Sequence, residues 1–97
     1  NIAKSKKQAD KERAALGVNM EAAAQVINQI RLRNISGIII IDFINMQEEA
    51  SVKELLSYMK GLAKKEHITT NVVDMTPLGL VEMTRKNNGK TLKELIR

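Results

Sequence analysis

The stretch Gly37 to Met46 reads GIIIIDFINM. β-Branched residues dominate Ile38 to Ile44, which predicts a strand. Both of its faces are apolar, the pattern of a central strand covered on both sides. By alternation, Ile38, Ile40, Asp42 and Ile44 share one face, and Ile39, Ile41, Phe43 and Asn45 share the other. Asp42 is the anomaly. A carboxylate buried among isoleucines costs several kcal/mol unless it is paired or bound to a metal. It stands near the C-terminal end of its strand, the edge where ligands gather in open α/β sheets. The plainer role is an Asp that caps a loop or pairs with an arginine. Asn45, three residues on, could act beside Asp42 as a neutral oxygen ligand or orient a water, provided the strand bends. A turn-forming Asn is the commoner role.

The flanks extend the pattern. Residues 1–17 carry Lys4, Lys6, Lys7, Lys11 and Arg13 against Asp10 and Glu12, with few apolar residues. They read as a basic arm, helical toward Leu16 and stopped at Gly17, or as a frayed solvated terminus. Asn19 is a candidate N-cap for a helix that buries Met20, Ala23, Ala24, Ile27 and Ile30. A second helix is predicted over Gln47–Lys65, with the stripe Val52, Leu55, Leu56, Met59, Leu62 and Ala63. Thr69–Asp74 follows as a strand, giving a β–α–β unit. Thr76, Pro77 and Gly79 mark a turn into a third strand, Leu80–Arg85, antiparallel to the second. Asn87 to Gly89 reads as a loop, and Thr91–Arg97 as the start of a helix. The fold class is α/β: a short mixed sheet with helices packed on it.

Composition narrows the function. The chain has 97 residues, enough for one domain or a piece of one. Aromatic residues make up 2%, so Ile, Leu, Val, Ala and Met must build the core. There is no cysteine, which excludes disulfides and Cys-ligated metals and fits a cytoplasmic protein. The longest apolar run, Ile38 to Ile41, is far short of a membrane span. The chain begins at Asn1 rather than Met and looks cut from something longer. A net charge of +5 favours a polyanionic partner, nucleic acid being the commonest. No GxGxxG or GxxxxGK(S/T) occurs, which argues against a nucleotide-binding enzyme. His67 has no Ser or Cys partner nearby in sequence and reads as a surface residue. Arg31, Arg33, Arg85 and Lys86 end elements that flank the central strand and could form a phosphate-binding surface. Glu82, alternating with Leu80 and Thr84, could pair with a basic residue.

Taken in order, four segments resemble a known family. They are Val18–Ala23 (VNMEAA), Ile30–Gly37 (IRLRNISG), Ile38–Met46 (IIIIDFINM) and Leu78–Lys86 (LGLVEMTRK). They are similar to the NLEAA, LRLRxxGG, IxIDFIDM and GLxEMTRKR blocks of the ribonuclease E/G family. The resemblance implies a single-strand-specific endoribonuclease of RNA processing and decay, active with Mg²⁺. It assigns residues 18–97 to the C-terminal part of a larger catalytic subdomain, called deoxyribonuclease-I-like. Asp42 would be one of two carboxylates holding the metal, and Arg31, Arg33, Arg85 and Lys86 would be contacts to the RNA backbone. The chain departs from the pattern in several places. The family's other metal-binding aspartate lies on a strand upstream of Asn1. The second acid of IDFIDM is Asn45 here. A basic RxKT-like run is replaced by His67-Ile68-Thr69-Thr70-Asn71. The CPxC zinc segment and the OB-fold domain fall outside these residues. The piece alone is therefore expected to be inactive, within a full-length homo-oligomeric parent. A non-catalytic RNA-binding or oligomerisation module is the alternative.

Overall fold

The computed structural model describes residues 2–86. The element order is α1 (Ile2–Leu32), β1 (Gly37–Asp42), α2 (Glu49–Lys64), β2 (Thr70–Met75) and β3 (Leu80–Arg85). The expected loop at 87–89 and helix at 91–97 lie outside the described residues.

α1 corrects the expectation of a separate arm. It runs for 31 residues straight through Gly17. Glycine in a helix interior costs about 1 kcal/mol relative to alanine. The flanking Ala, Leu, Met, Glu and Lys residues are strong helix formers and outweigh that cost. Asn19 is consequently no N-cap but an interior residue, only 1% exposed. Asn34, at φ 52°, ends the helix. The Asn34 N–H donates to the Arg31 carbonyl at 3.2 Å, and the Ile35 N–H to the Ile30 carbonyl at 3.0 Å. This is the closing pattern of a left-handed cap residue.

The three strands form one sheet in the order β1-β3-β2. β3 pairs antiparallel with both neighbours, matching Ile39 to Met83 and Ile41 to Val81 on one side. Val72 faces Met83 on the other side, and a bulge follows between Val72 and Asp74. β1 and β2 thus run in the same direction, but β3 lies between them. The β2–β3 turn depends on Gly79, at φ 85°, whose N–H donates to the Thr76 carbonyl at 2.9 Å.

Both helices cover the same face of the sheet. Ala23 and Ile27 of α1 and Leu55, Met59 and Ala63 of α2 pack with Ile41, Phe43, Val72, Val81 and Met83. The other face is open among the described residues. Ile38 is 72% exposed and Ile40 54%. β1 is therefore neither central nor covered on both sides, and β3 takes the middle position. An apolar run shows that both faces can be buried, without showing which neighbour covers each.

α2 begins at its N-cap, Glu48, whose own side chain makes no capping bond. The cap comes from α1. The N–H groups of Gln47 and Glu48 donate to the two carboxylate oxygens of Glu12, each at 2.9 Å. These bonds tie α1 at Glu12, where residues 5–14 are otherwise solvent-exposed, to the loop that follows β1.

Candidate functional site

Asp42 is the last residue of β1 and lies opposite Leu80 of β3. Alternation places its side chain on the open face with Ile38 and Ile40, and it is exposed. The desolvation cost anticipated from the sequence is not incurred. Glu82 sits opposite both Ile40 and Asp74, so it is a diagonal neighbour of Asp42 on that face. It has no ion pair among the described residues. The Asp74 carboxylate accepts from the Met75 N–H at 2.7 Å. Among the described residues, no three acids or histidines converge closely enough to hold a metal ion.

The chain beyond Asp42 is held by Asn19. Its side-chain amide donates to the Ile44 carbonyl at 2.8 Å, and its amide oxygen accepts from the Ile44 N–H at 2.9 Å. A buried side chain thereby satisfies both backbone groups of one residue, as a neighbouring strand would. The Phe43 N–H donates to the Gly79 carbonyl at 3.4 Å, so the strand exit is fixed on two sides. Asn45 follows and is exposed. It lines a groove of about 710 Å³ between the first half of α1 and residues 44–48.

The basic candidates gather at the other end of β1. Gly37, not Asp42, pairs with Arg85. Five residues of strand separate the two ends, roughly 17 Å. Arg31 is exposed and lies 3.8 Å from Glu66. Arg33 and Lys86 are exposed. Arg85 is a correction: it is 4% exposed and turned inward. Its guanidinium donates to the Ile35 carbonyl at 2.9 Å, the Asn34 side-chain oxygen at 3.1 Å and the Ile30 carbonyl at 3.5 Å. It satisfies the carbonyl end of α1 and presents nothing to a ligand. His67 is exposed, as read from the sequence.

Asn19 and Glu12 were the residues hidden from sequence reading. Asn19 falls one helical step before Ala23 and Ile27 on the buried stripe, which was a usable signal. Glu12 gave none, because its partners lie 35 and 36 residues away.

The sequence model of the ribonuclease E/G family matches residues 1–88. The chain belongs to the ribonuclease E/G family. It is 39% identical over 87 residues to ribonuclease E of Synechocystis sp., a match covering 90% of this chain and 13% of that protein. It is 40% identical over 78 residues to ribonuclease G of Salmonella typhimurium, covering 80% of this chain and 16% of that protein. A ribonuclease E/G-like protein of Pyropia yezoensis is 40% identical over 81 residues, covering 84% and 16% respectively. The chain therefore spans about an eighth to a sixth of the length of these family members. No helix among the described residues is long and apolar enough to cross a membrane.

Proposed function

We propose that this chain is part of the catalytic subdomain of a Mg²⁺-dependent endoribonuclease that cleaves single-stranded RNA in the cytoplasm, in RNA processing and decay. The observation that carries the reading is Asp42: in a member of the ribonuclease E/G family, a free carboxylate stands exposed at a strand end. The donor chemistry fits. Mg²⁺ takes hard oxygen ligands, often one or two carboxylates, and keeps several waters. Asp42 offers one such ligand, and the described residues do not complete the set. When bound, Mg²⁺ supplies an activated water and neutralises charge developing on the phosphodiester.

This chain's own residues then have distinct tasks. Asp42 holds the metal position at the strand end. Asn19 and Gly79 keep the exit of that strand in place. Asn45 offers a neutral amide for orienting a water. Arg31, Arg33 and Lys86 are candidate contacts to RNA at the far end of β1, and Arg85 is not among them. Alone, the chain is inactive, because one carboxylate is a poor Mg²⁺ site.

The test is Asp42→Asn in the full-length polypeptide that carries these residues. RNA cleavage falls by more than tenfold, the equivalent of about 1.4 kcal/mol. Cleavage surviving within tenfold would contradict the assignment. A second reading, a non-catalytic RNA-binding or oligomerisation module, draws on the open apolar face of β1 and on Asn45 standing where the family pattern has an acid.

A further inference from the structure

β1 is an edge strand, paired with β3 on one side only. Along an antiparallel ladder each residue turns its N–H and carbonyl either toward the neighbouring strand or away from it, in alternation. The bond from the Phe43 N–H to the Gly79 carbonyl sets the phase for β1. Ile39 and Ile41 therefore bond to Met83 and Val81 of β3, and Ile38, Ile40 and Asp42 turn their backbone groups outward. The bond from the Thr76 N–H to the Leu80 carbonyl agrees, because it turns Leu80, the partner of Asp42, toward β2. Ile44 belongs to the outward set, and its N–H and carbonyl are the two groups that Asn19 satisfies. Asn19 thus stands in for a neighbouring strand at one residue. The outward N–H and carbonyl groups of Ile38, Ile40 and Asp42 have no such partner among the described residues.

The surroundings of this edge suit an added strand. A groove of about 410 Å³ lies between α1 and β1, walled by Val26 and Ile30 on the helix and by Ile35 and Ile39 on the strand side. On the opposite face Ile38 and Ile40 are exposed. Free edges are normally blunted by lysine, proline or a bulge. β1 reads GIIIID and pairs without a bulge, so it has none of these. β2, at the other edge of the sheet, does carry a bulge, between Val72 and Asp74.

We infer that the free edge of β1 pairs with one further β-strand of the same polypeptide, from outside residues 1–97, which lays aliphatic side chains into the groove under α1. Three residues two apart, each presenting a donor and an acceptor, match an extended backbone; a helix bonds its own backbone groups internally and does not. Chain length favours the same polypeptide as the source, since the matched stretch is about an eighth to a sixth of the family members' length. A second copy of β1 fits poorly. Asn19 shows that α1 reaches over this edge. Paired strands lie about 4.8 Å apart, whereas packed helices need about 8–10 Å, so the α1 helices of two copies would collide. The inference goes beyond the RNA reading and does not rest on it.

Two measurements on the full-length polypeptide that carries these residues test it. Amide hydrogen exchange is resolved residue by residue by mass spectrometry. The Ile38, Ile40 and Asp42 N–H groups exchange within about tenfold of the Ile39 and Ile41 N–H groups, which β3 already protects. In the second, Gln25, exposed at the groove, is replaced by the photoreactive residue p-benzoylphenylalanine. Illumination yields an internal cross-link, at the mass of a single chain, to a segment outside residues 1–97. Free exchange at the three outward amides, the lack of any cross-link, or a product of twice the chain mass would each overturn the inference. No RNA is present in either measurement, so their outcome is separate from the Asp42→Asn test of the RNA reading.

Discussion

Asn19 and Arg85 each join a side chain to backbone groups distant in sequence, and each has a measurable weight. In Asn19→Ala the buried amide disappears and the Ile44 N–H and carbonyl lose their partners. Leaving buried polar groups unpaired costs about 1–3 kcal/mol each at most, so denaturant unfolding should show a loss of about 2 kcal/mol. Asn19→Asp keeps the acceptor but buries a carboxylate with one oxygen against the Ile44 carbonyl, and should cost at least as much as Asn19→Ala. Arg85→Met retains the packed stem and removes three donated hydrogen bonds. It should cost about 2–3 kcal/mol, since bonds from charged donors are the stronger ones. Its RNA affinity and salt slope should stay as they were. A reduced slope with intact stability would restore Arg85 to the RNA surface. At this scale the sequence was partly legible. Asp42 stood out as a carboxylate at a strand end. Its exposure did not, because alternation assigns a face without saying whether that face is covered. Arg85 looked like the other arginines, because its partners, Ile30 on α1 and Asn34 and Ile35 in the turn after it, lie 50 to 55 residues away.

The elements were easier to read than their arrangement. β3 was expected over Leu80–Arg85, the span it occupies, because alternating residues follow a turn punctuated by Pro77 and Gly79. α2 came within two residues at each end, since its apolar stripe is regular. The continuity of α1 was not legible: a glycine and an asparagine two apart resemble a stop and a start. Only the Ile44 backbone explains why Asn19 can lie in a helix interior. The docking of α1 on α2 yields a pH prediction. The Glu12 carboxyl is held below its ordinary value of 4.5, chiefly by the Gln47 N–H, then by the Ser51 hydroxyl and the Glu48 N–H. A lowered folded-state value means the ionised form is favoured by folding. This contribution is fully present above pH 4.5 and is lost as pH falls through the lower folded-state value. Acid unfolding followed by circular dichroism should therefore show a shallower pH dependence below 4.5 in Glu12→Gln than in the unaltered protein. Parallel curves would show that the cap contributes nothing.

For the whole molecule, the two faces of the sheet tell different stories. One is sealed by α1 and α2, and the other presents Ile38 and Ile40 beside Asp42. Contiguous exposed apolar surface and an unpaired strand edge favour association. The 97-residue chain by itself should self-associate in light scattering, and Ile38→Lys/Ile40→Lys should return it to a monomer. A stable monomer without those changes would show that the open face is tolerated. The arrangement also places Arg31, Arg33 and Lys86 near Gly37, at the end of β1 opposite Asp42. The central claim, that Asp42 holds a divalent metal, is tested most directly by metal binding rather than turnover. Mn²⁺ is a paramagnetic stand-in for Mg²⁺ and suits the same oxygen ligands. Titrated into the full-length polypeptide and followed by electron paramagnetic resonance, it should bind the unaltered protein and bind Asp42→Asn at least tenfold more weakly. Equal affinity in the two proteins would contradict the account.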